Sequence, residues 1–247
     1  MSSKNFSNER AGQVALYGRH AVLSALNNPK RQVIKLMILS ENEAELKKNF
    51  KNLNYQIVSK KEIEKVLPAN AVHQGFALIT KPLPPVFLED LIEKSRTLDA
   101  CHILILDQVT DPQNIGAIIR SAAAFDTLGV IVQDKNAPSE SGAMAKAAAG
   151  TMELVDLVRV TNLSRAIETL KKNNFWVVGM DGYAKQKIDE IDKNSKLAVI
   201  MGSEGSGMRR LVEENCDLRV RLDINQNVES LNVSVASAIV LYELSKK

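Results

Sequence analysis

The sequence predicts an α/β protein, a mostly parallel sheet preceded by a smaller α/β unit, and three observations lead there. Over residues 99–247, apolar runs such as "HILILDQV", "LGVIVQ", "FWVVGM" and "LAVIMG" alternate with helical stretches. Nearly continuous apolar strands joined by helices are the signature of a sheet covered on both faces. Residues 16–82 repeat the alternation with shorter elements. Between the two units, "KPLPPVFLED" places three prolines within Pro82–Pro85, which interrupts strand and helix alike.

Taken in order, the polar residues 1–15 are expected as a flexible segment. In the smaller unit, "YGRHAVLSALNN" reads as a helix, "QVIKLMIL" as a strand, "ENEAELKKNFKN" as a helix, "YQIVS" as a short strand, "KKEIEKVL" as a helix and "GFALIT" as the closing strand. Residues 83–98 are expected as a linker. In the larger unit, "LVDLVRV" and "LRVRLDI" add strands, and "NIGAIIRSAAAF", "AMAKAAAG" and "NLSRAIETLKKN" supply helices. Ligands of such sheets bind beyond the carboxyl ends of the strands.

Composition narrows the class. Of the 247 residues 45% are hydrophobic and 25% charged, which fits a folded domain with a real core. The start "MSSKNFSNERAGQ" carries no apolar signal region and no run is long enough to span a membrane, so a cytoplasmic protein is expected. Cys101 and Cys216 lie far apart without metal-ligand spacing, and His20, His73 and His102 are the only histidines. No metal is expected, and acyl-enzyme hydrolysis is disfavoured. Residues 1–82 hold 13 Lys and Arg against 6 Asp and Glu, a net of +7, whereas residues 83–247 carry −4. That asymmetry suits a basic module facing a polyanion, or simply a lysine-rich surface. Trp176 and the tyrosines read as core or strand residues.

Three polar clusters fall at the ligand edge. The first, "DPQNIGAIIR", carries Asn114, which suits a helix N-cap, and Arg120, which interrupts a run of small apolar residues near the start of a helix. The second, "VIMGSEGSGM", holds Gly202, Glu204, Gly205 and Gly207. Its spacing is neither that of a P-loop nor that of a dinucleotide fingerprint, it has no lysine, and Glu204 would repel phosphate; a neutral or cationic ligand is implied. The third, "ESLNVSVASAIVLYE", sets Ser230 and Asn232 just ahead of a helix, where capping is the plain reading.

In this order and spacing the three clusters resemble the motifs of the SpoU or TrmH family of RNA ribose 2'-O-methyltransferases, a branch of the SPOUT class. "LYGRHAVLSAL" and "AVHQGFALITKP" resemble the L30e-like, RNA-binding domain that precedes the catalytic domain in the bacterial 23S ribosomal RNA guanosine 2'-O-methyltransferase subgroup, so the likeness runs from Leu16 to the C-terminus. The resemblance implies a trefoil-knotted catalytic domain, S-adenosyl-L-methionine held in the knot, and a homodimer whose sites are completed near the partner subunit. It places cofactor contacts on Gly202, Leu222 and Leu231, and catalytic positions on Asn114, Arg120, Glu204, Ser230 and Asn232. The stretch "LDINQNVES" departs from the family, with Asp223 where proline is usual and no glycine after it.

By resemblance Arg120 takes the proton of the ribose hydroxyl. A guanidinium is effectively always protonated, which leaves two routes: it binds the adjacent phosphate and stabilises the forming alkoxide, or it loses its proton as that phosphate relays charge. Asn114 and Glu204 then orient Arg120 or the ribose, while Ser230 and Asn232 shape the pocket. The substrate is expected to be 23S rRNA or a ribosomal precursor. A tRNA guanosine 2'-O-methyltransferase and a non-catalytic RNA-binding assembly factor remain open as alternatives.

Overall fold

The computed structural model describes residues 12–225 and 227–246. Most of the expected 1–15 segment lies outside them, but Val14 and Ala15 already belong to the first strand. The smaller unit runs β1 (Val14–Tyr17), α1 (Arg19–Asn27), β2 (Val33–Ile38), α2 (Glu43–Asn49), β3 (Gln56–Ile57), α3 (Lys60–Val66) and β4 (Phe76–Thr80). Its sheet has the order β1-β4-β2-β3, with β4 antiparallel to both neighbours and β2 parallel to β3. Strand β1 is a correction to the sequence reading, which drew Tyr17 into the helix. Gly18, at φ 88°, breaks the chain between the two elements.

The stretch expected as a linker, 83–98, instead carries the helix α4 (Leu88–Ser95). Leu88, Leu91 and Ile92 lie at helical spacing and are buried against the larger sheet. Just before it, Val86 forms a parallel bridge with Val158. The prolines do end β4, but the chain beyond them is packed structure.

The larger unit continues with β5 (Cys101–Leu106), α5 (Pro112–Ala124), β6 (Gly129–Gln133), α6 (Gly142–Ala148), β7 (Leu157–Val160), α7 (Leu163–Lys172), β8 (Trp176–Met180), β9 (Gln186–Lys187), β10 (Lys196–Met201), α8 (Arg210–Glu213), β11 (Leu218–Arg221) and α9 (Val233–Ser245). All strand pairs in its seven-stranded sheet are parallel, in the order β7-β6-β5-β10-β8-β11-β9. Alternate strand residues face opposite cores. Leu104, Val130 and Val199 join α5, α6 and α9 on one face; Ile103, Ile131 and Ile200 join α4 and α7 on the other. The chain turns outward to β6 and β7 on one side of β5 and to β8 and β11 beyond β10, so the crevice above β5 and β10 is the switch point where a ligand fits.

The two sheets are not separated by solvent. The first core runs without a break from Leu36 and Ile38 of the smaller unit to Leu104 of the larger. A Cβ on Gly142, at the start of α6, would collide with Ala15 and Tyr17 of β1. A buried ion cluster closes the junction. The Arg31 side chain is 0% exposed and pairs with Glu140 at 2.5 Å and Glu153 at 2.7 Å. Asn28 Nδ2 also donates to Glu153, the backbone N–H of Leu83 to Glu140, and Arg31 to the carbonyl of Lys81.

Candidate active site

The polar residues at the switch point come from three chain segments. Helix α5 starts after β5, and its cap is Asp111, whose Oδ1 accepts from the Gln113 N–H at 2.9 Å. Pro112 takes the first helical position, where no N–H is needed. Asn114 is therefore not the expected N-cap but lies inside the first turn, with its side chain free for other partners. Asn232 does cap α9, accepting from the Ser234 N–H at 3.0 Å. Both hydrogens of its Nδ2 are used: one goes to Asn114 Oδ1 at 3.1 Å, the other to Glu204 Oε1 at 2.7 Å. That same Glu204 oxygen accepts the Val233 N–H at 3.0 Å, so a carboxylate sits on the positive end of a helix 13 residues long. Asn114 Nδ2 and Glu204 Oε2 are without partners among the described residues.

The glycine-rich turn after β10 is a tight hairpin. Ser203 and Gly207 exchange backbone hydrogen bonds at 3.1 and 3.0 Å, and Gly205 and Gly207 take φ 82° and 66°. A Cβ on Gly202 would meet the backbone of Gly207 and Met208. Gly202 is thus required by the return of its own loop, a reason the spacing alone did not reveal. The far end of the loop is tied down by a residue that sequence reasoning missed. Asp107, fully buried at the end of β5, accepts from Arg209 N and Nε at 2.8 Å each and pairs with its Nη2 at 2.7 Å. The only signal was a lone carboxylate closing the run "HILIL".

Other expected positions fall outside this cluster. Arg120 is the ninth residue of α5, past its middle and not near its start; it is exposed and makes no hydrogen bond or ion pair among the described residues. Its backbone lies about 9 Å along the helix axis from that of Asn114. Ser230 is exposed and also unpartnered among those residues. Leu222 and Leu231 are half-buried, with Leu222 packed on the first core. Asp223, the departure from the family pattern, pairs with Lys187 at 2.7 Å and is held below the usual carboxylate range by it, which pins the segment after β11 to β9.

Trp176 is a strand residue, as expected, whereas Tyr183 departs from the expectation of a core or strand residue. Tyr183 is 97% exposed on a turn closed by Asp181, and Trp176 is 55% exposed on β8. Burial pushes the Cys216 thiol up to about 11 and raises that of Cys101, so neither offers a thiolate at neutral pH. Among the described residues no helix is long and apolar enough to cross a membrane.

Comparison with known proteins agrees with this architecture. The model of the SpoU rRNA Methylase family matches residues 102–242, and that of the RNA 2'-O ribose methyltransferase substrate-binding domain matches residues 15–86. The chain is 36% identical over 240 residues to the 23S rRNA (guanosine-2'-O-)-methyltransferase RlmB of Coxiella burnetii, covering 94% of this chain and 95% of that protein. The SpoU methyltransferase AviRb of Streptomyces viridochromogenes, solved with the cofactor AdoMet, shares the fold at TM-score 0.79 and 21% identity over 99% of this chain and 93% of its own. An AdoMet-bound rRNA methyltransferase of Sinorhizobium meliloti shares it at TM-score 0.79 and 20% identity over 96% and 88%. With its motifs, its parallel sheet and a family match over more than half its length, this chain belongs to the SpoU rRNA methylase family.

Proposed function

We propose that the protein transfers a methyl group from S-adenosyl-L-methionine to a ribose 2'-hydroxyl of RNA, most specifically of a guanosine in 23S rRNA. The observation that carries the reading is the joining of Asn114, Glu204 and Asn232 at the switch point, one from each of three motifs that lie far apart in the chain. RlmB, similar over nearly the whole length of both chains, supplies the substrate class.

The residues fit the cofactor. The hairpin after Gly202 leaves open space beside Gly205 and Gly207, Leu222 and Leu231 offer half-buried apolar surface on the flanking segments, and no lysine waits for a phosphate. Gly202, Leu222 and Leu231 would hold it, and when bound it supplies an activated methyl on a sulfonium, which a nearby carboxylate such as Glu204 tolerates. The chain's own task is positioning. The free Asn114 Nδ2 and Glu204 Oε2 orient the ribose, Asn232 keeps both in register, and Ser230 contributes a hydroxyl at the rim. Arg120 binds the phosphate next to the target and stabilises the developing alkoxide.

The homodimer belongs to the same reading. Val235, Ile239 and Tyr242 form an exposed apolar stripe on α9, 48%, 40% and 52% accessible, beside α5, whose Arg120 makes no hydrogen bond or ion pair among the described residues. A second copy on that face would bring Arg120 to the site across the interface. The knotted path of the C-terminal segment, residues 1–15 as a flexible arm, an RNA-binding domain ending near residue 82, and a cytoplasmic location complete the proposal.

Labelled methyl transfer to unmodified 23S rRNA and to total tRNA, followed by mapping of the 2'-O-methylated nucleotide, tests it. Incorporation at one guanosine of 23S rRNA is expected. Incorporation only into tRNA would move the substrate, and cofactor binding without transfer to either RNA or to a ribosomal precursor particle would favour an assembly factor.

A further inference from the structure

A cavity of about 330 Å³ opens in the smaller unit between the end of α3 and the loop leading to β4, lined by Glu64, Leu67, Pro68, Asn70, Ala71 and His73. Its size is at the low end for small-molecule sites, enough for one planar ring system. His73 is only 6% exposed, and its Nδ1 accepts the Gly75 N–H at 3.0 Å. Accepting there puts the ring proton on Nε2, which has no hydrogen-bond partner among the described residues, on a side chain that lines the cavity. Burial holds this imidazole below its ordinary pKa, hence neutral at pH 7, despite the opposing pull of Glu64.

The wall opposite in chemistry is Glu64, whose carboxylate is half exposed and only loosely engaged by Lys60 at 3.8 Å. The loop between is held in a demanding conformation, with Asn70 at φ 63° and Gln74 at φ 53°. Gln74 Oε1 in turn accepts from Lys146 of α6 at 2.5 Å, which fixes the cavity relative to the larger sheet. Lys60, Lys61 and Lys65 stand exposed along α3, where they would meet phosphates.

We infer that this cavity takes a single unpaired guanine of the RNA substrate, distinct from the nucleotide that is methylated: the base donates N1–H and N2–H to the Glu64 carboxylate and accepts at O6 from His73 Nε2–H. Guanine alone among the four bases presents two adjacent N–H donors beside a carbonyl oxygen, and unstacked bases are the features that proteins read in RNA. The inference rests on the reading of the chain as an RNA methyltransferase and adds a second, sequence-reading contact to it.

Amide and histidine side-chain NMR of the full chain, titrated separately with guanosine, adenosine, cytidine and uridine 5'-monophosphates, tests it. The guanosine nucleotide alone should shift Gly75 and His73. Glu64→Gln should weaken that binding by about tenfold or more, and His73→Asn, which keeps an acceptor for the Gly75 N–H while its shorter amide falls short of the Nε2 position, should weaken it too. In methyl transfer, Glu64→Gln should raise KM for RNA with kcat and cofactor affinity unchanged. Equal shifts with all four nucleotides, no shift at Gly75, or an unaltered KM would overturn the assignment. Selective guanosine binding by a protein that transfers no methyl would uphold the cavity and sink the enzymatic reading instead.

Discussion

Two polar clusters each join three distant stretches of this chain, and they are built in opposite ways. The Arg31 cluster gathers the end of α1, the proline segment and the two flanks of α6 around a guanidinium that no water reaches, with its partners' carboxylates only 11% and 6% exposed. The Asn232 cluster gathers α5, the glycine hairpin and α9, yet Glu204 and Asn232 remain exposed, and a donor and an acceptor are left over among the described residues. A sealed cluster with its groups paired fixes geometry, whereas an open one with spare groups awaits a ligand. The first holds the two units as one body; the second is where chemistry is expected.

Breaking the sealed cluster should have the largest effect on stability. Arg31→Met strands two buried carboxylates and should cost about 3–5 kcal/mol, read by denaturant unfolding. Replacing all three charges, with Arg31→Met, Glu140→Gln and Glu153→Gln together, should recover most of that loss. If the single substitution were neutral, the cluster would not be holding the junction.

The open side should respond in activity instead. Arg120→Ala should lower methyl transfer by roughly 10²–10³-fold with the melting temperature little changed, because the Arg120 side chain is exposed and makes no hydrogen bond or ion pair among the described residues. Mixing Arg120→Ala with Glu204→Ala subunits sharpens the point. If Arg120 serves the site across the dimer, mixed dimers regain one complete site; if it serves its own chain, none does.

Asp107 lies between the two cases, buried like Arg31 but placed at the site. Asp107→Asn should cost about 1.5–3 kcal/mol and loosen the hairpin through Arg209, so that cofactor affinity falls with RNA affinity unchanged; calorimetry separates the two. The smallest effect should come from His102, whose Nε2 is buried without a partner among the described residues and whose pKa is lowered by burial. Its contribution is fully present above the ordinary histidine value of about 6.5 and is lost as pH falls through the lower folded-state value. His102→Gln should therefore flatten the decline of stability between neutral and mildly acidic pH, and an unchanged slope would contradict this.

The parallel sheet was legible because strands buried on both faces leave long apolar runs, and "HILIL" and "LAVIM" became β5 and β10 as expected. One residue from each of the three motifs, Asn114, Glu204 and Asn232, meets the others in the fold. What could not be read was which side chain would do which job. Asn114 and Asp111 both suit a cap, and only Pro112 in the first helical position decides for Asp111. The spacing suggested a ligand contact at Gly202 but did not show that the return of Gly207 and Met208 also requires a glycine there. Arg31 gave no warning at all, since its carboxylate partners lie more than 100 residues away and a lone arginine after a helix reads as surface. α4 is a different failure: Leu88, Leu91 and Ile92 already had helical spacing, and the prolines ahead of them drew the boundary too late.

The most direct measurement is the single-turnover rate of methyl transfer by Asn232→Ala at saturating RNA and cofactor, taken together with its unfolding free energy. Loss of the cap should cost about 1 kcal/mol of stability, while the rate should fall about 10²-fold, since Asn232 is the side chain that holds Asn114 and Glu204 together. A wild-type rate, or a loss no greater than the unfolded fraction accounts for, would show that the open cluster is only a helix cap and that the chemistry lies elsewhere.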